Sequence, residues 1–246
     1  MPPEEEYVLH TKKVPTMDNV RYMVSIASVA YRALIGCLLS GMRIGEIVSR
    51  RWRDLEIRPQ GYARVKIQAE ATKKKYRRYA FLSKEAVDWL KQYRLTILNG
   101  HPESQDDWLF PGELGDHLDE STAWQRMKTL FRLSGLTDSE DEVYTTHSFR
   151  TLGDTLMSRA GMDRKFVEMI IGHKNKLGAS GSYQDWQEAE SQYLEKVERG
   201  GFTTVNKNVE LVATEQQIEK LRNAFLEALK RGLPAKDADA VKKLLE

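Results

Sequence analysis

The spacing of the apolar residues constrains the fold of this chain more than any other feature of its sequence. Over most of residues 17–171, apolar side chains recur three or four positions apart, which is the spacing of one helix face. Two short runs differ, at 63–69 and 76–82, because they have the composition of strands and are separated by basic residues. The pattern predicts a mainly α-helical fold with a small antiparallel β-sheet, that is, an α+β protein.

The predicted helices can be delimited by the residues that begin or end helices. The first spans residues 17–39, with an apolar stripe of Met23, Ile26, Ala30, Leu34 and Leu38, and ends before Gly41. A second begins after Ser83, a good N-cap residue, and runs towards Asn99. Three more are predicted from residue 121 to Gly135, from 147 to Gly161 and from 163 to Gly172, since glycine commonly follows a helix end.

The composition limits the class of partner and the compartment. The 246 residues include 38 Lys and Arg against 36 Asp and Glu, a formal net charge of +2, so the chain is not a wholesale polyanion binder. Any nucleic-acid contact must be local, and the basic clusters at 50–53 and 73–78 could neutralise several phosphates. The single cysteine, Cys37, is predicted to be a small core residue in a reducing compartment. No apolar run reaches the length of a membrane span, so no membrane contact is expected.

The chain is predicted to divide near residue 200. Residues 1–200 would form one domain, and residues 201–246 a C-terminal helical tail that packs either on a neighbouring protomer or against its own domain. The tail helix is indicated by a capping box from Thr214 to Gln217. Within the domain, the segment 177–182 is rich in glycine and serine and is predicted to be a flexible loop.

Two segments in the first third of the chain contain candidates for chemistry. Arg43 follows the end of the first predicted helix, and Glu46, three residues later, can support it if the turn is helical. The basic turn between the two predicted strands, at 72–78, contains three consecutive lysines and is expected to be exposed. Each feature alone is typical of a solvated surface.

Two further segments lie in the second half. His147 and Arg150 are three residues apart at a predicted helix start, so they share one helix face. His173 follows a glycine-terminated helix, and Tyr183 comes ten residues later. A single tyrosine of this kind is more often a packing residue than a nucleophile.

Taken together and in this order, the four segments resemble the tyrosine recombinase or phage integrase family. The resemblance covers about residues 15–195 and includes the phrase GMRIGEI followed by Trp52 and Asp54. It implies the catalytic domain of a DNA strand breaking-and-rejoining enzyme. The residues that it implies are Arg43, Lys73, His147, Arg150 and His173, with Tyr183 as the nucleophile and Glu46 in support of Arg43.

These residue types suit phosphoryl transfer without a metal or another cofactor. Two guanidiniums can bind the non-bridging oxygens of a phosphodiester and stabilise the transition state. Tyr183 would attack phosphorus with His147 as the base, because a phenol with a pKa of about 10 is a poor nucleophile at neutral pH. Lys73 would protonate the leaving 5′-oxygen, and His173 would hydrogen-bond the phosphate. The 3′-phosphotyrosyl bond would conserve energy, so rejoining would need no ATP.

The resemblance also implies a biological setting. The expected partner is double-stranded DNA, and the active form is a homo-oligomer, a tetramer in the DNA synapse. The protein would be cytoplasmic and nucleoid-associated, of the kind that mobile genetic elements such as viruses and plasmids encode. Family members usually have a helical domain ahead of the arginine motif, so this chain is expected to be either a catalytic fragment or an unusually short protein.

Several alternatives stay open from the sequence. Lys74 and Lys75 compete with Lys73 for the position in the turn. The glycine-rich loop, together with a spacing to Tyr183 one residue longer than the usual one, leaves cleavage in trans open, in which one protomer supplies its tyrosine to another. A type IB topoisomerase would use the same chemistry, and a DNA-binding relative would use none of it. A metal-dependent nuclease has the least support, because His117 lacks a second histidine at ligand spacing.

Overall fold

The computed structural model describes residues 11–68, 77–99, 101–113, 115–136, 142–172 and 183–199. Within these ranges the fold is mainly helical with a small antiparallel sheet, which confirms the predicted class. No helix in the described ranges has both the length and the apolar character needed to cross a bilayer. Lys73 to Lys75, His173, the predicted loop 177–182 and the predicted tail 201–246 lie outside the described residues.

The elements are as follows. The helices are α1 Met17–Ile26, α2 Val29–Leu39, α3 Ile44–Val48, α4 Lys84–Leu98, α5 Glu120–Leu133, α6 Thr146–Arg159, α7 Arg164–Ile171 and α8 Tyr183–Gln192, which continues as a π-helix over Tyr193–Glu198. The strands are β1 Thr11–Lys12, β2 Leu55–Ile57, β3 Ala63–Ile67, β4 Arg78–Leu82 and β5 Glu142–Val143. A 3₁₀ turn at Trp52–Asp54 precedes β2.

The prediction of one helix over residues 17–39 is wrong, because the chain is broken between α1 and α2. Ala27 and Ser28 both have extended backbone, with ψ of 145° and 162°. The break leaves Ile26 41% exposed, although the predicted stripe would bury it. Neither glycine nor proline marks this break, and Ser28, a residue type favoured just before a helix, is its only signal in the sequence.

Helix α2 is the centre of the core. Every residue from Ala33 to Leu39 is buried, as expected of a helix that is apolar around its whole circumference. It packs against α4 and α6 at very short distance. A Cβ added to Gly36 would lie 2.6 Å from that of Ala86 in α4, and a Cβ on Gly153 in α6 would overlap the Leu39 carbonyl oxygen. Cys37 is buried here as predicted, and burial raises the pKa of its thiol.

The sheet confirms the predicted hairpin and adds a strand to it. Strands β3 and β4 are antiparallel, with Val65 opposite Ala80, and β2 pairs with the other edge of β3. The alternating Ala63, Val65 and Ile67 are buried while the residues between them are half-buried, which is the pattern of a sheet with one face on the core. The third strand was not predicted, because three residues are too few to show an alternation. Strands β1 and β5 form a separate two-residue parallel pair.

The later helices confirm the predicted boundaries to within one or two residues. Helix α4 begins after Ser83, whose hydroxyl accepts a hydrogen bond from the Ala86 N–H at 3.2 Å. Helix α7 ends at Gly172, which has a φ of +77° that glycine adopts without strain. This helix packs against α6, α8 and β4. Its C-terminus therefore lies where elements from distant parts of the chain meet.

Candidate active site

Arg43 lies in the turn between α2 and α3, where Glu46 contacts both its backbone N–H and its side chain. One carboxylate oxygen of Glu46 accepts the backbone N–H of Arg43 at 2.7 Å, and the other lies 3.1 Å from Arg43 Nη1. The carboxylate thus accepts hydrogen bonds from the guanidinium and from a backbone N–H at the start of α3 that has no partner within the helix. Glu46 is buried while the Arg43 side chain is 37% exposed. Glu46 thus contacts Arg43, and its support of a catalytic Arg43 stays a prediction.

Arg78 is a second cation on the same carboxylate. Its Nη2 lies 2.6 Å from Glu46 Oε2, and only 1% of each side chain is exposed. Its Nη1 donates to the carbonyl oxygen of Ile170 in the last turn of α7. Because a buried charge is tolerated only when it is paired and hydrogen-bonded, Glu46 and Arg78 depend on each other.

Arg150 is also buried, with 2% of the residue exposed, and is held by backbone carbonyls. Its Nη1 donates to the carbonyl of Gly41, two residues before Arg43, and its Nη2 donates to the carbonyl of Ile171. The close approach of α6 to α2 at Gly153 brings Arg150 within reach of this turn. Arg78 and Arg150 therefore bond successive carbonyls at the C-terminus of α7, where helix carbonyls lack helical partners and the helix dipole favours cations.

His147 is exposed on the first turn of α6, one turn before Arg150. The structure thus bonds Arg150 to the turn that contains Arg43, and it places His147 one helical turn before Arg150. Tyr183 is the first residue of α8, and its side chain lies outside the described residues, as do Lys73 and His173.

Two arginines of the basic clusters, Arg50 and Arg78, do not belong to the solvated surface that was expected for DNA phosphates. Arg50 is buried and donates to the carbonyls of Glu46 and Lys66, with Asp54 at 3.7 Å. Arg51 lies over the Trp108 ring, with its guanidinium carbon 3.5 Å from the ring centroid. Arg78 is buried as described above, so this prediction is wrong for both Arg50 and Arg78. For Arg78 the signal was available, since the alternation that buries Ala80 and Leu82 places position 78 on the same strand face.

Tyr193 is a second tyrosine near Tyr183, at the start of the π-helix that continues α8. It is 4% exposed and stacks on Phe81 with ring centroids 5.1 Å apart. Burial raises the pKa of its phenol well above the ordinary value. A buried phenol of raised pKa is a poor nucleophile, so Tyr193 is a core residue.

His117 has structural contacts. Its Nδ1 lies 2.9 Å from the Leu118 carbonyl oxygen, and its ring is edge-on to Trp108 with centroids 5.2 Å apart. The neighbouring Asp119 caps α5 by accepting two backbone N–H groups. Across the described part of the chain, no three His, Cys, Asp or Glu side chains are grouped so that they could hold a metal ion.

Comparison with known families matches residues 10–189 to the phage integrase family. That range is more than half of the 246 residues. The chain belongs to the phage integrase family. All of the integrase-family residues predicted from the sequence fall inside the matched range.

Among curated proteins, this integrase-family chain is similar to bacterial recombinases. It is 32% identical over 149 residues to the tyrosine recombinase XerD of Pseudomonas putida, an alignment that covers 58% of this chain and 46% of XerD. It is 30% identical over 139 residues to XerD of Proteus mirabilis, covering 55% of this chain and 41% of that protein. The chain thus spans less than half the length of these relatives.

Solved structures of this family share the fold. The XerA recombinase superposes with a TM-score of 0.54 at 20% identity, over 78% of this chain and 67% of XerA. The integrase from mycobacterium phage Brujita gives a TM-score of 0.56 at 18% identity, over 82% of this chain and 64% of that one. At such identities the likeness establishes the fold of the integrase-family domain.

Proposed function

We propose that this chain is the catalytic domain of a site-specific recombinase that cleaves and rejoins double-stranded DNA through a 3′-phosphotyrosyl intermediate. The observation that supports it most is the junction of Arg43 and Arg150. Arg150 is bonded to a turn 109 residues away in the chain, and Arg43 follows in that turn with a partly exposed guanidinium. A partly exposed arginine in a turn that a second, buried arginine bonds is suited to a phosphodiester.

The two guanidiniums would have different tasks. The partly exposed Arg43 would contact a non-bridging oxygen directly, with its orientation set by Glu46. The buried Arg150, whose position is fixed by two backbone carbonyls, would supply positive charge that is already in place when negative charge builds up at phosphorus. Charge that needs no reorganisation stabilises the transition state most effectively in a site that excludes water.

The remaining chemistry would come from His147, Lys73, His173 and Tyr183. In the forward step the Tyr183 oxygen forms a bond to phosphorus as its proton passes to His147. The bond from phosphorus to the 5′-oxygen breaks, and Lys73 gives that oxygen a proton while His173 hydrogen-bonds the phosphate. A 5′-hydroxyl of a partner strand then attacks in reverse, which restores the phosphodiester and the phenol.

The names of the related proteins favour recombination over the relaxation of supercoils as the function of this chain. The curated proteins similar to this chain are named tyrosine recombinases. The XerH recombinase, which shares the fold with a TM-score of 0.51, was solved bound to its difH substrate in a pre-cleavage complex. We therefore propose duplex DNA as the partner and a homotetramer as the assembly that pairs two sites, with residues 1–200 as the catalytic part and 201–246 as the contact between protomers.

The test is formation of a covalent adduct on a nicked suicide substrate, in which the short 5′ fragment diffuses away. Tyr183→Phe should abolish the adduct and leave DNA binding nearly unchanged, because only the attacking oxygen is removed. Tyr22→Phe is the control, since Tyr22 is 52% exposed on α1. The wild-type reaction should proceed in EDTA. An adduct that persists in Tyr183→Phe would assign the nucleophile to another residue and refute the proposal.

A further inference from the structure

Helix α8, which begins with Tyr183, is attached to the sheet of its own domain by one carboxylate. Glu190 accepts two bonds from Arg58, from Nε at 2.6 Å and from Nη2 at 3.1 Å. It also accepts the Tyr62 hydroxyl at 3.0 Å and Arg64 Nη1 at 3.2 Å. These four residues, the Glu190 cluster, join α8 to the β2–β3 hairpin across more than 120 residues of chain.

The charges in the Glu190 cluster support one another. Burial alone would raise the pKa of Glu190, but the hydrogen bonds from Arg58 and Tyr62 and the nearby arginines outweigh it and lower that pKa. Burial, and then the bond to Glu190, raise the pKa of the Tyr62 phenol to about 12, so Tyr62 stays protonated and donates. Glu190 is therefore a carboxylate at neutral pH with a full set of donors around it.

Other contacts fix the end of α8 nearer to Tyr183. Asp185, two residues after Tyr183, forms an ion pair with Lys165 of α7. Trp186 is buried and meets Tyr79 of β4 edge-on, with ring centroids 5.2 Å apart. Arg64 of the Glu190 cluster lies over the ring of Tyr79, with its guanidinium carbon 4.8 Å from the ring centroid. The helix is thus attached to its own sheet and its own α7 along one side.

We propose that Glu190 is a positioning residue that holds the nucleophile helix on the β2–β3 hairpin of its own domain and so sets the position from which Tyr183 attacks. The inference depends on the proposed function of Tyr183 as nucleophile. Tyr183 and Glu190 are seven residues apart on one helix, which is roughly 10 Å along the axis. Over that length a helix transmits the position of its anchored end to its first residue.

The first test compares Glu190→Gln with Glu188→Gln. The two glutamates lie on the same helix, but Glu188 is exposed and has only a 3.5 Å contact with Gln192. In single-turnover cleavage of the suicide substrate, Glu190→Gln should slow adduct formation by about tenfold, the factor that about 1.4 kcal/mol makes in a rate. DNA affinity should be unchanged, and Glu188→Gln should match the wild type. Equal rates for the two variants, both measured well below their melting temperatures, would overturn the role of Glu190.

The second test distinguishes the failure of this inference from the failure of the proposed function. It measures Tyr183→Phe on the same suicide substrate, where no adduct is expected because the attacking oxygen is removed. If Tyr183→Phe is inactive and the two glutamine variants have equal rates, the role of Glu190 is overturned, although Tyr183 would still be the nucleophile. An adduct in Tyr183→Phe would instead refute the proposed function.

Discussion

The buried pair of Glu46 and Arg78 allows a quantitative prediction. Arg78→Met removes the guanidinium and keeps a flexible apolar side chain of similar reach. The change leaves the Glu46 carboxylate, 1% exposed, with Arg43 as its remaining ion-pair partner among the described residues and Arg50 as a more distant cation. It also removes the bond to the Ile170 carbonyl at the end of α7. Both losses occur where water cannot replace the missing partner.

The expected cost follows from that burial. Removal of one member of a buried ion pair typically costs 3–5 kcal/mol, because the other charge stays buried. A folded domain has only about 5–15 kcal/mol of stability, so Arg78→Met should consume a large part of it. Since 1 kcal/mol shifts the melting temperature of a domain of this size by about 2–4 °C, the variant should melt roughly 6–20 °C lower.

Denaturant unfolding of Arg78→Met and a matched variant, Arg94→Met, measures this cost. Arg94 is also a buried arginine with carboxylate partners, but Glu103 and Asp107 are 59% and 35% exposed and stay hydrated after its removal. Arg94→Met should therefore be the milder change, with normal cleavage by the folded protein. Arg78→Met should reduce cleavage by the folded fraction as well, because Glu46 would no longer hold Arg43 in place.

A double variant separates stability from site geometry. Replacement of both charges by apolar residues, as in Glu46→Leu with Arg78→Met, is often close to neutral for a buried pair. It should regain much of the lost stability without restoring cleavage, since Arg43 loses its support. A cost below about 1 kcal/mol for Arg78→Met alone would refute the reasoning, because it would mean that Glu46 is compensated without Arg78.

Three further predictions concern the arginines and the pH and salt dependence. Arg43→Ala and Arg150→Ala should each slow cleavage by two orders of magnitude or more, in line with about 3 kcal/mol of lost transition-state stabilisation. Only Arg150→Ala should also lower the melting temperature, because Arg150 is buried, and equal destabilisation by both would contradict this. The folded-state pKa of Glu190 is lowered, so its stabilisation is complete above the unfolded-state pKa of about 4.3 and is lost as pH falls through the lower folded value. The unfolding free energy of Glu190→Gln should thus differ from the wild type at pH 7 and converge with it in acid, whereas a constant difference would exclude the carboxylate as the cause. The exposed Arg77→Ala should lower the slope of log affinity against log salt by about 0.9 if it contacts one phosphate, whereas an unchanged slope in DNA titrations would show that it contacts none.

Much of the fold could be predicted because its signals are local. The N-cap at Ser83 and the glycine at the end of α7 act on backbone groups within one helical turn, and both elements end as expected. The alternation in β3 likewise shows which side chains face the core. The break at Ala27 and Ser28 was missed because its cause is tertiary, and the packing of α2 on all sides outweighs a continuous helical stripe.

The order of the motifs, and through it the membership of the phage integrase family, was determined by the sequence alone. The sequence also determined the pairing of Arg43 with Glu46, because side chains three residues apart in a helical turn lie on the same face. Only the tertiary structure decided that Arg78 lies in the core rather than on a DNA-binding surface, and that Glu190 anchors the helix of Tyr183 to a hairpin 132 residues earlier. The physical reason is that the free energy of a charged side chain depends on whether distant elements supply its partner. No local sequence pattern specifies which distant residue becomes that partner.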